Sequence, residues 1–387
     1  MNSKSKLYYD FVFSGGGCAG LSLAYRLAKS SLTFSAVIVD SSKKRENDRT
    51  WCFWEENNGP FENIIFRSWD HLSFFGTNGK QDLNLHPYRY KMLKGIDFYD
   101  YVYEFLKGDD RFSFLHTSIK ELRNTDNGAE VLTDAGEISC RYVFNSALRP
   151  EFTPNSITYF QHFKGWFIKT SQGAFEPESA TLMDFRIKQE PGEARFIYIL
   201  PFSENEALIE FTVFSPALLP PESYNQALRS YISEYTSIKE PFKITHQEFG
   251  SIPMSEMQFD RVEGNIFHIG TAGGMAKAST GYTFTRIQKE ADALVRLLEA
   301  GKKPIVPPGS KRFRLYDSTL LDVMANERYP AADVFSTLFK KNSPATVLKF
   351  LDEDTTILQD IRVMATVPLW PFLSGMLSSL RRYQTFR

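Results

Sequence analysis

The chain holds only three cysteines in 387 residues, Cys18, Cys52 and Cys140. So sparse and odd a set builds no disulfide framework and fits free thiols in a reducing compartment. The six histidines (His71, His86, His116, His162, His246, His268) occur singly, and no cysteine pairs at a ligand spacing, so no metal site is expected. Charge of one sign is also missing: 45 Lys and Arg against 46 Asp and Glu give a net charge of −1. That balance argues against a nucleic-acid partner and against an acidic disordered tail. No apolar run approaches the roughly 20 residues of a spanning helix. Met1 to Leu7 is short and polar, unlike a secretory signal. The expectation is a soluble or peripheral protein of the cytoplasm.

Aromatic residues are abundant, with 34 Phe and 15 % Phe, Trp and Tyr together. Such rings fill an ordinary core or line a long apolar tunnel, and composition leaves both open. The length suffices for two domains or for one large core with insertions.

The most informative stretch is Gly15-Gly16-Gly17-Cys18-Ala19-Gly20. An apolar, aromatic run (Tyr8, Tyr9, Phe11, Val12, Phe13) precedes it, and the spacing of Leu21, Leu23, Ala24, Leu27 and Ala28 after it predicts a helix. A second strand, Phe34 to Val39, ends in Asp40. In a strand–turn–helix–strand unit of this kind, Gly15 permits the tight turn, Gly17 lets backbone approach a pyrophosphate, and Gly20 lets helix pack close on strand. Asp40 lies where an acid accepts hydrogen bonds from a ribose.

A second glycine-rich stretch, His268-Ile269-Gly270-Thr271-Ala272-Gly273-Gly274-Met275, runs on to Ala278-Ser279-Thr280-Gly281-Tyr282. It links a predicted strand to a predicted helix (Ile287, Ala291, Leu294, Leu298), where unpaired amides can receive a phosphate or a flavin carbonyl. Two such stretches at opposite ends of the chain imply one extended dinucleotide between them, which suits FAD better than NAD.

The fold expected is α/β: a Rossmann-type FAD-binding domain, an inserted antiparallel β-sheet substrate domain and a helical C-terminal part. FAD-binding segments are expected at 1–85, 111–150 and 251–305. A helical segment is expected at 86–110, the substrate sheet at 151–250, and the C-terminal helices at 306–387. Strand-like runs at Gly165 to Thr170, Phe196 to Leu200 and Ala207 to Phe214 mark the insertion.

Several motifs together resemble the lycopene cyclases, the β-cyclases of carotenoid synthesis. They are Gly15 to Leu21, Asp40, Asp48-Arg49-Thr50-Trp51, Met183-Asp184-Phe185-Arg186, Leu200-Pro201-Phe202-Ser203, Leu208-Ile209-Glu210-Phe211-Thr212, Ile269-Gly270-Thr271 through Thr280-Gly281-Tyr282, and Phe350-Leu351-Asp352-Glu353. Thr271 stands where the wider group containing aromatic hydroxylases has Asp, and Phe211 stands where the acidic motif often has a second polar residue.

The resemblance implies acid-initiated, non-redox closure of the ψ-ends of lycopene to β-rings, with Glu210 as the acid. If Ala207 to Phe214 is a strand, Leu208, Glu210, Thr212 and Phe214 share a face, and desolvation there keeps the carboxyl protonated. It also implies reduced FAD, with NAD(P)H as electron donor. At about 4 Å and an effective dielectric near 20, the negative charge of a reduced flavin attracts a carbocation by roughly 4 kcal/mol.

The cofactor residues implied are Gly15, Gly17, Gly20, Asp40, Arg49, Gly270, Thr271, Gly274 and Gly281. Trp51, Trp54 and Trp166 either line a polyene tunnel or pack the core. Asp184 with Arg186 reads as a structural ion pair, and Asp352 and Glu353 read as helix caps. A carotenoid partner implies a membrane surface, on the inner face of the cell membrane. Val367 to Leu373 followed by Arg381 and Arg382 reads either as an interfacial anchor or as a packed helix pair. The rival readings are a redox FAD enzyme acting on an isoprenoid or aromatic substrate, and a binding protein without turnover.

Overall fold

The computed structural model describes residues 7–147, 152, 156–238 and 241–385, with side chains as far as residue 382. The polar lead before Leu7 and the expected boundary at 150/151 lie outside the described residues.

The chain opens with β1 (Leu7–Ser14), α1 (Cys18–Ala28) and β2 (Ala36–Asp40), followed by β3 (Thr50–Glu55), β4 (Arg67–Trp69), β5 (His71–Gly76), β6 (Gly79–Asn84) and β7 (Arg89–Lys94). Then come α2 (Gly95–Lys107), β8 (Phe112–His116), β9 (Ile119–Thr125), β10 (Gly128–Thr133) and β11 (Gly136–Asn145). The middle of the chain gives β12 (Thr158–Lys169), β13 (Ser179–Asp184), β14 (Ala194–Pro201), β15 (Glu206–Ser215), α3 (Pro221–Tyr235) and β16 (Lys243–Ser255). The rest is β17 (Val262–Glu263), β18 (Ile266–His268), α4 (Phe284–Glu299), α5 (Lys311–Ala325), α6 (Ala331–Lys341), α7 (Pro344–Leu351), α8 (Ile357–Met364) and α9 (Leu369–Thr385).

Strands β18, β11, β1, β2 and β8 lie side by side in that order and run parallel. Their continuous apolar runs, such as Phe11 to Phe13 and Ala36 to Val39, are buried because both faces are covered. Helices α1 and α4 pack against each other over one face, Leu23 and Leu27 joining Ile287, Ala291 and Leu294 in one cluster. The β9–β10 hairpin is appended to β11. This is the dinucleotide-binding architecture that the opening motif foretold.

The second sheet has the order β16-β12-β15-β14-β13-β5-β6. Two features differ from the sequence-based expectation. The hairpin β5–β6 comes from residues 71–84, assigned above to the first dinucleotide segment, yet it extends this second sheet. The sheet is also mixed, since β5 and β13 pair in parallel while its other pairs are antiparallel. The reason is packing: Phe74 is fully buried between Phe185 and Phe339, so the hairpin's apolar face belongs to the core of the second sheet. A hairpin's partner is set by such distant contacts, which local pattern does not carry.

One face of the second sheet carries Trp166, Ile197, Ile209 and Phe211 and is covered by α3 through Tyr224, Leu228, Tyr231 and Ile232. Buried Asp184 receives Arg186 and the Tyr231 hydroxyl (2.6 Å), which pins α3 to the end of β13. The opposite face looks toward the dinucleotide sheet. Helices α5 to α9 close the molecule within the stretch 306–387 that was expected to be helical.

Candidate functional site

Between the two sheets lies a cavity of about 400 Å³. Gly15, Gly17 and Asp40 line one end, Arg49, Thr50 and Trp51 one side, Thr271 and Gly281 another, and Tyr198, Leu208 and Glu210 the far wall.

The first end is built of backbone. Gly15 has φ +108°, which a side chain rarely adopts, and its N–H donates to the Val39 carbonyl at 2.9 Å, so the turn is fastened to β2. Gly17 caps α1 with no side-chain hydrogen bond, and a Cβ built there meets nothing within 4 Å, which leaves the helix N-terminus open to an anion. Asp40 accepts from the Gly16 N–H at 2.7 Å and from the Ser42 N–H at 2.7 Å, with the Lys44 ammonium 3.5 Å away. The acid at the end of β2 therefore shapes the turn as well as facing the cavity.

The second glycine-rich segment meets the first directly. Gly270 has φ +60°, and a Cβ there would fall 2.6 Å from that of Ala19. Gly281 has φ +71°, and a Cβ would land on the Gln161 amide oxygen. That oxygen is buried without a hydrogen-bond partner, and Gln161 lines the cavity. An orphaned acceptor beside open glycine backbone suits a ligand bearing N–H donors.

Of the residues singled out from sequence, Gly15, Gly17, Asp40, Arg49, Thr271, Gly281 and Glu210 all line this one cavity. Gly20 does not; its Cβ would lie 2.2 Å from the Gly15 carbonyl oxygen, which is the close helix packing expected of it. Gly270 sits behind the wall and joins the two segments. Gly274 packs against the Phe259 ring instead of the cavity. Trp51 reaches the cavity, whereas Trp54 is buried beside two smaller ones. Trp166 lies under α3 on the other face of the sheet, because its neighbour Gly165 takes the cavity-facing position.

The far wall carries carboxyls. Across the sheet, Tyr198 (β14), Glu210 (β15), Gly165 (β12) and Glu248 (β16) are direct cross-strand partners and so share one face. Glu210 is half-buried with its open side on the cavity, and its Oε1 accepts from the Thr212 hydroxyl at 2.7 Å. Glu248 is 6 % exposed; Oε2 accepts from the Thr50 hydroxyl at 2.7 Å, and Oε1 has no partner. Burial is the main cause that lifts both carboxyls far above the ordinary range, and the charge of Glu248 adds to the rise at Glu210. Glu210 thus holds its proton near neutral pH.

Around the pair stand neutral groups: the half-buried Cys52 thiol, pushed up by desolvation, and Tyr90, Tyr198 and Tyr282. The Tyr282 hydroxyl meets those of Tyr90 (3.4 Å) and Tyr198 (3.3 Å).

Glu248 was missed from sequence. In the run Thr245-His246-Gln247-Glu248-Phe249 it looks like any strand acid, and its pairing across β12 is not a local signal. Asp352 is the C-terminal cap residue of α7. Its carboxyl is pushed up to about 7, chiefly by burial. Glu353 receives the Lys277 ammonium (3.1 Å) and the Arg286 guanidinium, which ties the second glycine segment to α7.

Solved structures define the class first. The fold is similar to a geranylgeranyl bacteriochlorophyll reductase-like protein from Thermoplasma acidophilum, with TM-score 0.59 and 12 % identity over 99 % of this chain and 100 % of that one. A flavoprotein/dehydrogenase from Cytophaga hutchinsonii gives TM-score 0.60 and 12 % identity over 93 % and 100 %. A halogenase, PltM, in complex with FAD gives TM-score 0.57 and 12 % identity over 98 % and 92 %. The chain therefore has the fold of the FAD-dependent flavoproteins. Within that class, the sequence model of the lycopene cyclase protein family matches residues 10–377, and the chain belongs to that family. No curated protein sequence matches it significantly.

Proposed function

We propose that this protein is a lycopene β-cyclase that closes the ψ-end groups of lycopene to β-rings, giving γ-carotene and β-carotene, without net redox change. The observation that carries this reading is Glu210: a carboxyl kept protonated by burial, on the same cavity as the dinucleotide turn.

Gly15, Gly17, Asp40, Arg49, Thr271 and Gly281 would hold FAD, whose phosphates suit the open N-terminus of α1. When bound and reduced by NAD(P)H, FAD supplies negative charge that favours a cation in the cavity. Glu210 donates its proton to the terminal alkene and leaves a tertiary cation. The neighbouring double bond closes the ring, and a ring proton returns to carboxylate. Leu200, Leu208 and Phe163 keep water from the cation, and the faces of Tyr198, Tyr282 and Trp51 stabilise it by about 0.5–2 kcal/mol each.

A second, apolar cavity shares Tyr282 with the first and is lined by Trp54, Leu182, Phe335, Phe339 and Leu348. At about 20 Å³ it is no roomier than a single water, and it marks an apolar flank of the site toward α6 and α7. Beyond it, α8 exposes Ile357, Leu358 and Ile361 at one-face spacing, and α9 exposes Leu369, Trp370, Leu377 and Leu380. No helix among the described residues is long and apolar enough to cross a membrane. These two helices suit a peripheral site on the inner face of the cell membrane, where a carotenoid is found. Arg382, read from sequence as part of either an interfacial anchor or a packed helix pair, lies on α9 and pairs with Glu256 (2.8 Å) and Asp322 (2.6 Å), which fits the packed reading. Binding to liposomes tests this placement; a protein that stays in solution beside them counts against it.

Expression in a lycopene-accumulating host, with pigment analysis, tests the function. Cyclic carotenes are expected from the wild type. Glu210→Gln, which keeps the shape and loses the proton, is expected to lower cyclisation by about 10²–10⁴-fold while FAD stays bound. Ring formation at the wild-type rate would remove Glu210 from its role, and NAD(P)H consumed in proportion to product would favour a redox enzyme.

A further inference from the structure

The proposal concerns Glu248 and rests on Glu210 being the acid. Strands β15, β12 and β16 lie side by side, and adjacent strands are about 4.8 Å apart. Glu210 and Glu248 therefore stand two strands apart, and the residue between them is a glycine. A Cβ at Gly165 would lie 3.1 Å from Cγ and 3.3 Å from Oε1 of Glu248, and 2.7 Å from Cδ1 of Leu208. The Glu248 side chain thus lies over the bare backbone of β12, toward β15. One of its oxygens is held by Thr50, while the other is buried with no partner. A side chain at 165 would separate the two acids.

We propose that Glu248 is a positioning residue: across Gly165 it shares one proton with Glu210, and as the ionised member of the pair it keeps Glu210 in the acid form. Two carboxyls facing one dry space do not both ionise readily, so the pair retains a proton where a lone carboxyl would lose it. The Arg49 guanidinium and the Thr50 hydroxyl both favour the charged form of Glu248, and this sets which member is ionised. The other titratable groups around the pair are Cys52 on β3, Tyr90 on β7, Tyr198 on β14 and Tyr282 on the second glycine segment, all held neutral by burial.

The proton balance closes. Glu210 gives its proton to the alkene carbon and becomes carboxylate beside a second carboxylate. That repulsion makes it an avid acceptor for the proton leaving the ring carbon, whose electron pair forms the new double bond. The enzyme ends in the state in which it began.

The test is the pH profile of kcat/KM for cyclisation by the FAD-loaded enzyme. Glu248→Gln removes the negative neighbour, so Glu210 ionises more easily, and the alkaline limb is expected to move down by about one pH unit. Near pH 6 the rate is expected to stay within about threefold of wild type, because Glu210 is protonated in both proteins. A limb that does not move, or an equal loss at every pH, overturns the proposal. If Glu248→Gln fails to retain FAD, Glu248→Asp, which withdraws the charge by one methylene, must shift the limb in the same direction by less; an unmoved limb there overturns it too. Glu210→Gln is assayed in parallel. Activity in that variant refutes the parent reading, whereas a dead Glu210→Gln with an unmoved Glu248→Gln limb refutes this proposal alone.

Discussion

The two walls of the cavity are made differently. The dinucleotide wall consists of main chain: a turn at positive φ, an uncapped helix N-terminus, and glycines whose missing side chains let Gly15, Ala19 and Gly270 approach one another. The acid wall consists of side chains on a regular sheet, where Glu210 and Glu248 derive their properties from burial and from each other. A backbone wall of tight turns and missing side chains is a matter of the fold, and the fold is similar to reductase-like and halogenase structures at about one residue in eight identical. A side-chain wall is specific to one chemistry and is free to change while the fold persists. The comparison says that cofactor retention and catalysis should fail separately.

Of two glycine variants that separate the walls, the larger effect is expected on the backbone wall. In Gly20→Ala the new Cβ would meet the Gly15 carbonyl oxygen at 2.2 Å, a main-chain atom that cannot yield without moving the turn. Overpacking of this kind costs about 1–3 kcal/mol, so FAD affinity, read from flavin absorbance after gel filtration, is expected to fall by about five- to 150-fold. Retention at the wild-type level would show that the turn does not shape the cofactor site.

The counterpart on the acid wall is Gly165→Ala. Here the nearest atoms belong to flexible side chains, Leu208 Cδ1 and Glu248 Cγ, so the sheet tolerates the methyl and the carboxyl moves instead. FAD retention is expected to be unchanged, with cyclisation at pH 8 lower by about two- to fivefold, as expected for a partly lost pKa coupling. If both glycine variants lose flavin equally, the two walls are not independent.

The same contrast explains what could be read from the chain alone. The βαβ unit was legible because its signal is local: strand, glycines, helix, strand and Asp40 lie within one short stretch and obey one set of steric rules. Gly15, Gly17 and Asp40 followed from it, while Thr271 and Gly281 came from the second glycine-rich stretch and the family resemblance. Glu210 was legible through a family motif, and period two placed it on one face with Thr212. Glu248 was not, because what distinguishes it is a glycine on β12, far away in sequence. The docking of β5–β6 onto β13 and the pairing of Arg382 from α9 were illegible for the same reason. Each is fixed by a distant partner: Phe185 and Phe339 for the hairpin, Glu256 and Asp322 for the arginine.

The smallest expected effect is the most discriminating, because its sign is opposite to that of Glu248→Gln. The Thr212 hydroxyl donates to Glu210 Oε1 at 2.7 Å and so favours the carboxylate. Thr212→Val removes that donor at nearly constant shape. Burial holds Glu210 at about 8 in the wild type, so the acid form is present below that pH and is lost above it. Without the hydroxyl the folded-state value rises further, and the alkaline limb of cyclisation is expected to move up by about half a pH unit. Stability follows the same linkage. Between the ordinary carboxylate range and the raised value, only the folded protein keeps the proton, so stability falls as pH rises through that window and levels off above it. Thr212→Val should extend the falling region upward, and Glu210→Gln should abolish this group's share of it. An upward shift for Thr212→Val beside a downward shift for Glu248→Gln would locate the titrating group at Glu210, since both residues act on its charge with opposite sign.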